Sequence, residues 1–260
     1  MDPGAHDPVA RAAAAAADGV GHVLVSLSSP LGVEWLPPEE AGHLLDAYHA
    51  GALALPAPFR AWAAACLSDV GPEQVQAELD RGCVGLQLPA TTLLDAAGYD
   101  RCAPLLALLE TRGLPLFVHP GSAPAGSTGL PAWWPALVPY VQQMHAAWYA
   151  FLAFGRPRHP RLRVCFAMLA GLAPLHGERA AVRGAGRGAV DPNAFLETSS
   201  YGPSAVDAIV RVLGIDVLVH GSDRPYALPT DGGLGQAAEQ AIRLSNPLRL
   251  LAPRGALQPV

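Results

Sequence analysis

Short apolar runs alternate with helical segments along almost the whole chain, and this alternation limits the fold more than any other feature. The runs HVLVSLSS, FRAWAAACL, CVGLQLPA, LPLFVHP, LRVCFAML, AFLETSSYG and DVLVHGSD read as seven strands. Between them lie segments with helix start and stop signals. HDPVARAAAAAADGV has Asp7 as cap and Gly19 as stop, PPEEAGHLLDAYHAGAL begins with prolines and acids, and GPEQVQAELDRG is amphipathic between glycines. GYDRCAPLLALLETRG, VPYVQQMHAAWYAFLAFG, LAPLHGERAAVRG, PSAVDAIVRVLG and GLGQAAEQAIRLS continue the series. Near-continuous apolar strands separated by helices make a parallel sheet covered on both faces. Seven such units in 260 residues, with no G-x-G-x-x-G after any strand, point to a TIM-like (β/α)8 barrel rather than an open doubly wound sheet. A closed barrel needs eight strands and this chain opens on a helix, so the first βα unit is expected to be missing or replaced. No boundary divides the chain, and residues 1–260 read as one domain.

Composition narrows the function classes. A net charge of −5 with scattered arginines offers no basic stripe for nucleic acid. No apolar run reaches the roughly 18 residues of a membrane span, and the N-terminus lacks the order of a signal peptide, so a cytoplasmic location is expected. Cys66, Cys83, Cys102 and Cys165 are widely spaced and read as reduced core thiols. All 17 basic residues are arginine, which removes Schiff-base chemistry, a P-loop lysine and a carbamylated-lysine metal bridge.

In barrels of this kind the chemistry gathers where strands end. Those positions hold Ser26, Ser28, Ser29, Cys66, Gln87, His119, Met168, Thr198, Ser199 and Asp223. His119 and Asp223 are the strong ligands among them, and an imidazole and a carboxylate converging from different strands suit a divalent ion and an activated water. The serines have no evident base partner, and Cys66 has no activating neighbour.

The order LFVHP, WWPALV, HPRLRVCFAML and VHGSDRPY resembles the amidohydrolase-related branch of the amidohydrolase superfamily, close to the aminocarboxymuconate-semialdehyde decarboxylases, from about residue 7 to the end. The resemblance implies a (β/α)8 barrel with one divalent metal, zinc in the first instance. His119 and Asp223 match the ligands after the fifth and eighth strands of that family. The pattern departs at Met168, where the family reads histidine, and in the absence of any H-x-H pair, so the metal is expected to be weakly bound or absent. His176 is the spare candidate ligand; a helix-surface histidine is its other reading.

The resemblance implies hydrolysis or non-oxidative decarboxylation of a small carboxylate-bearing or aromatic substrate. His119 and Asp223 are the expected catalytic pair, Arg224 a clamp for a substrate carboxylate, and Trp133, Trp134 and Tyr226 the walls of the mouth. A degenerate, metal-free barrel that binds a small molecule or a partner is the alternative. Unpaired strand edges at the missing unit require a cover, either the N-terminal segment or a second subunit, and a homodimer is expected on that ground.

Overall fold

The computed structural model describes residues 3–123, 129–185, 190–228 and 233–252. Seven short strands follow one another in chain order: β1 (Val23–Val25), β2 (Phe59–Ala61), β3 (Leu86–Pro89), β4 (Leu116–His119), β5 (Val164–Phe166), β6 (Ala194–Glu197) and β7 (Leu218–Val219). Every pairing is parallel and joins consecutive strands, and the bridge Ala63–Leu86 links the β1–β2 pair to the β3–β7 sheet. This is the (β/α) barrel architecture expected from the alternation, with no pairing between β7 and β1 among the described residues.

The helices are α1 (Pro8–Ala17), α2 (Pro38–Leu53), α3 (Pro72–Arg81), α4 (Ala96–Arg112), α5 (Trp134–Leu137), α6 (Pro139–Ala150), α7 (Arg156–Arg158), α8 (Gly177–Ala180), α9 (Pro203–Leu213), α10 (Gln236–Gln240) and α11 (Asn246–Leu251). Asp7 caps α1 by accepting a hydrogen bond from Ala10 N at 2.7 Å, and Gly19 follows the helix at φ 69°.

Side chains alternate across each strand, and the two rows have different partners. Leu86, Leu88, Leu116, Val118, Val164, Phe166, Ala194, Leu196 and Leu218 face the helices and share one core with Tyr99, Leu105, Leu109, Met144, Phe151 and Ile209. The other row, Gln87, Phe117, Cys165 and Phe195, is in register from β3 to β6 and faces inward. Phe117, Cys165, Phe195 and Val219 pack there against Leu250 and Leu251 of α11. Arg249 donates to Asp216 O and Pro192 O, just before β7 and β6, so α11 closes the N-terminal end of the barrel. The mouth is left at the other end.

Among the described residues, the free edge of β7 is covered by the C-terminal segment. Val217 O and Val219 O accept from β6, whereas Leu218 O and Ile215 O point the other way and accept from the Asn246 side chain at 2.7 and 2.9 Å. His220 N donates to Ile242 O at 3.1 Å. Across the gap, Asp18 at the end of α1 receives Arg224 Nε and Nη2 at 3.0 and 2.8 Å, and Asp18 O accepts from Arg243. The N- and C-terminal segments therefore cover the β7 edge.

One local expectation is corrected. The run LRVCFAML ends as a strand at Phe166, and residues 168–172 turn left-handed, with φ between 47° and 60°. Ordinary residues there cost about 1–2 kcal/mol each. The turn is held because Leu169 and Ala170 are fully buried and Gly171 lies against the α6 backbone at Val141 and His145.

Candidate functional site

His119 ends β4 on the inward row, two residues beyond Phe117. Its Nδ1 lies 2.9 Å from Pro120 O, and since a carbonyl only accepts, Nδ1 carries the proton and Nε2 keeps a lone pair. Burial holds the imidazole below its usual pKa, so it is neutral near pH 7. Gln143 of α6 fixes the turn that follows, accepting from Gly121 N at 2.8 Å and donating to Ser122 O at 3.0 Å. Below the ring, Phe117 lies 6.0 Å away centre to centre and is stacked on Trp62 at 5.3 Å.

Glu197 ends β6 on the same inward row, two residues beyond Phe195. Its carboxylate accepts from Ser199 N at 2.9 Å, Ser199 Oγ at 2.7 Å and Met168 N at 3.2 Å. It rests on the backbone of Gly221, where any Cβ would overlap Glu197 Oε1. Burial is the main reason its pKa is raised to about 7, and the nearby Asp223 adds to the shift. The hydrogen bonds oppose both effects. The strand-end reading reached Thr198 and Ser199 and missed Glu197, although the period of two from Phe195 already assigns it to the inward row.

Asp223 lies beyond β7 with φ 49°, and its Oδ2 accepts from Ser200 Oγ at 3.3 Å; Ser200 is itself left-handed at φ 63°. Burial raises this carboxyl as well. Asp223 is thus grouped with Ser200 and Glu197, whereas the contacts of His119 are Pro120 and Phe117.

The remaining candidates fall in other surroundings. Arg224 commits two guanidinium nitrogens to Asp18. Trp133 and Trp134 sit 5.9 Å apart beside α5 in the connection after β4, with Trp133 exposed. Tyr226 is exposed and meets the His6 ring edge-on at 6.4 Å. His176 is exposed and packs edge-on against His145 of α6 at 5.0 Å.

A parallel barrel with titratable side chains at its strand ends defines a barrel enzyme. The amidohydrolase family model matches residues 5–249, and the chain belongs to that family, whose members are amidohydrolase-related hydrolases and carboxy-lyases. No curated protein sequence matches it. Among solved structures it is similar to 5-carboxyvanillate decarboxylase from Sphingomonas paucimobilis, with 20% identity over 93% of this chain and 82% of that one and a TM-score of 0.70. It is also similar to 2,6-dihydroxybenzoate decarboxylase from Rhizobium, with 19% identity, 93% and 87% coverage and a TM-score of 0.73. A third similarity is to a dihydroxybenzoic acid decarboxylase from Polaromonas with bound manganese, at 17% identity, 93% and 85% coverage and a TM-score of 0.70.

Among the described residues, the donors in this mouth do not fit a tightly held divalent ion. Among the described residues no three His, Cys, Asp or Glu side chains gather around one point. The place after β5 is Met168, a thioether, and the Glu197 carboxylate is already bound by three hydrogen bonds.

Proposed function

We propose that this chain is a carboxy-lyase that removes carbon dioxide from a small aromatic carboxylate. The observation that carries the reading is the placement of His119 and Glu197 on one inward row, either side of β5 and above the apolar floor of Phe117 and Phe195. Glu197 carries a proton near neutral pH and delivers it to the ring carbon that bears the carboxylate. The carbon–carboxylate bond then breaks, its electron pair restores the ring, and carbon dioxide leaves; Glu197 is reprotonated from solvent. His119 Nε2 accepts a hydrogen bond from a ring hydroxyl and orients the substrate. Burial, with a smaller contribution from Asp223, keeps the proton on the glutamate near neutral pH.

No step is routed through a metal ion. Metal content is expected at well under one equivalent per chain after dialysis, measured by elemental analysis, with His119 and Asp223 the two donors for what remains. The functional test is release of carbon dioxide from a panel of hydroxybenzoates by wild-type and Glu197→Gln protein. Turnover that Glu197→Gln reduces by about 100-fold or more supports the reading. Hydrolysis of esters or amides without decarboxylation, or a fully active Glu197→Gln, refutes it.

A further inference from the structure

The loop from β1 to α2 carries a buried polar cluster that the proposed chemistry does not use. Glu34 is 0% exposed, and Ser29 and Gln87 are 1% exposed. Ser29 Oγ donates to Glu34 Oε1 in a short hydrogen bond, and Gln87 Nε2 donates to Ser29 Oγ at 2.8 Å and to Leu27 O at 2.7 Å. All the donor hydrogens of the three side chains are then committed. Two buried acceptors, Glu34 Oε2 and Gln87 Oε1, have no partner.

The surroundings supply no countercharge. Among the described residues Glu34 has no ion pair. It is faced by Gln87 from β3, by the Leu67 amide, which donates to Glu34 O at 2.7 Å, and by the Tyr48 phenol of α2, whose own hydrogen goes to Trp62 O at 2.7 Å. An unpaired carboxylate in such a place costs several kcal/mol, and burying groups usually neutralise instead. A proton on Glu34 Oε2 removes the buried charge. Burial accordingly holds this carboxyl above its ordinary pKa.

The loop so pinned lies at the mouth. Gly32, at φ 75°, approaches Ser122 so closely that a Cβ would come within 2.8 Å of its Oγ, and Ser122 belongs to the turn that follows His119. Ser68 Oγ holds the far end through Leu36 O at 2.6 Å. We propose that Glu34 is a neutral acid in the folded protein and works as a pH-sensitive latch: its proton holds residues 28–36 against the mouth, and its ionisation releases them. The sign follows from the raised pKa. The latch is complete below the ordinary carboxylate range and is lost as pH rises through the folded-state value.

Hydrogen–deuterium exchange of the full chain across a pH series, corrected for intrinsic exchange rates, tests the latch in wild-type and Glu34→Gln protein. Protection of residues 31–36 is expected to fall by about tenfold per pH unit between the ordinary carboxylate range and the folded-state pKa in the wild type, to level off above it, and to stay flat in Glu34→Gln, which keeps the neutral shape. Flat wild-type protection, an equal slope in Glu34→Gln, or protection restored by added sodium, potassium or magnesium overturns the proposal. If Glu34→Gln does not fold, carbon NMR of carboxyl-labelled glutamate in the wild type decides. One glutamate besides Glu197 must titrate above the ordinary carboxylate range, and its absence overturns the latch.

Discussion

Gly221 and Glu197 form the tightest pair in the mouth, because the glutamate headgroup occupies the space a side chain at 221 would fill. Gly221→Ala is therefore expected to displace Glu197 and to lower turnover by about 100-fold while leaving the protein folded, read by decarboxylation rate beside circular dichroism. With Glu197 as the proton donor, turnover is highest below its pKa and falls as pH rises through about 7; a rate that climbs through that range contradicts an acid role. His220 bears on stability instead. Burial first, and Arg243 second, lower it from 6.5 to about 4, so it is neutral in the fold. Its contribution is present above 6.5 and is lost as pH falls from there through about 4, because the unfolded chain takes up the proton first. His220→Asn should flatten the acid side of the unfolding free energy plotted against pH. An unchanged slope counts against the assignment.

At the level of elements, the strand and helix order was readable because apolar periodicity and caps are local properties. Residues 168–172 were not readable. Their left-handed turn is imposed by burial of Leu169 and Ala170, by the closeness of Gly171 to α6 and by the Met168 N–Glu197 bond, all of them long-range. The role of α11 was hidden for the same reason. Its Asn246 is 2% exposed and donates to two strand-edge carbonyls, a function that no local pattern marks. Asn246→Leu leaves Leu218 O unpaired, while Ile215 O keeps its bond from Leu218 N, and should cost about 1–3 kcal/mol in urea unfolding; a loss below about 0.5 kcal/mol would show that water or backbone shifts replace the amide.

For the whole molecule, among the described residues, Asp18, Arg224, Arg243 and Asn246 bridge the space between β7 and the N-terminal segment from both ends of the chain. The Asp18–Arg224 pair is partly buried, with side-chain exposures of 24% and 28%. Asp18→Ala is expected to cost about 1 kcal/mol and to loosen α1 first, seen as lost exchange protection in residues 10–17 before the rest of the barrel. If α1 keeps its protection, the helix is held by its apolar contacts alone. No helix among the described residues is long and apolar enough to cross a membrane.

The sequence by itself determined the parallel (β/α) architecture, the order of its elements and the position of His119 at the mouth, since periodicity and strand ends are written in neighbouring residues. The grouping of side chains was decided by the tertiary structure. Which row of a strand faces inward depends on register with its neighbours, and that register brings Glu197 to the inner face with His119. Asp18 reaches Arg224 across 206 positions of chain, and Gln87 reaches Ser29 across 58. Such pairs carry no local signature, because the free energy that selects them comes from burial, which exists only once distant segments have met.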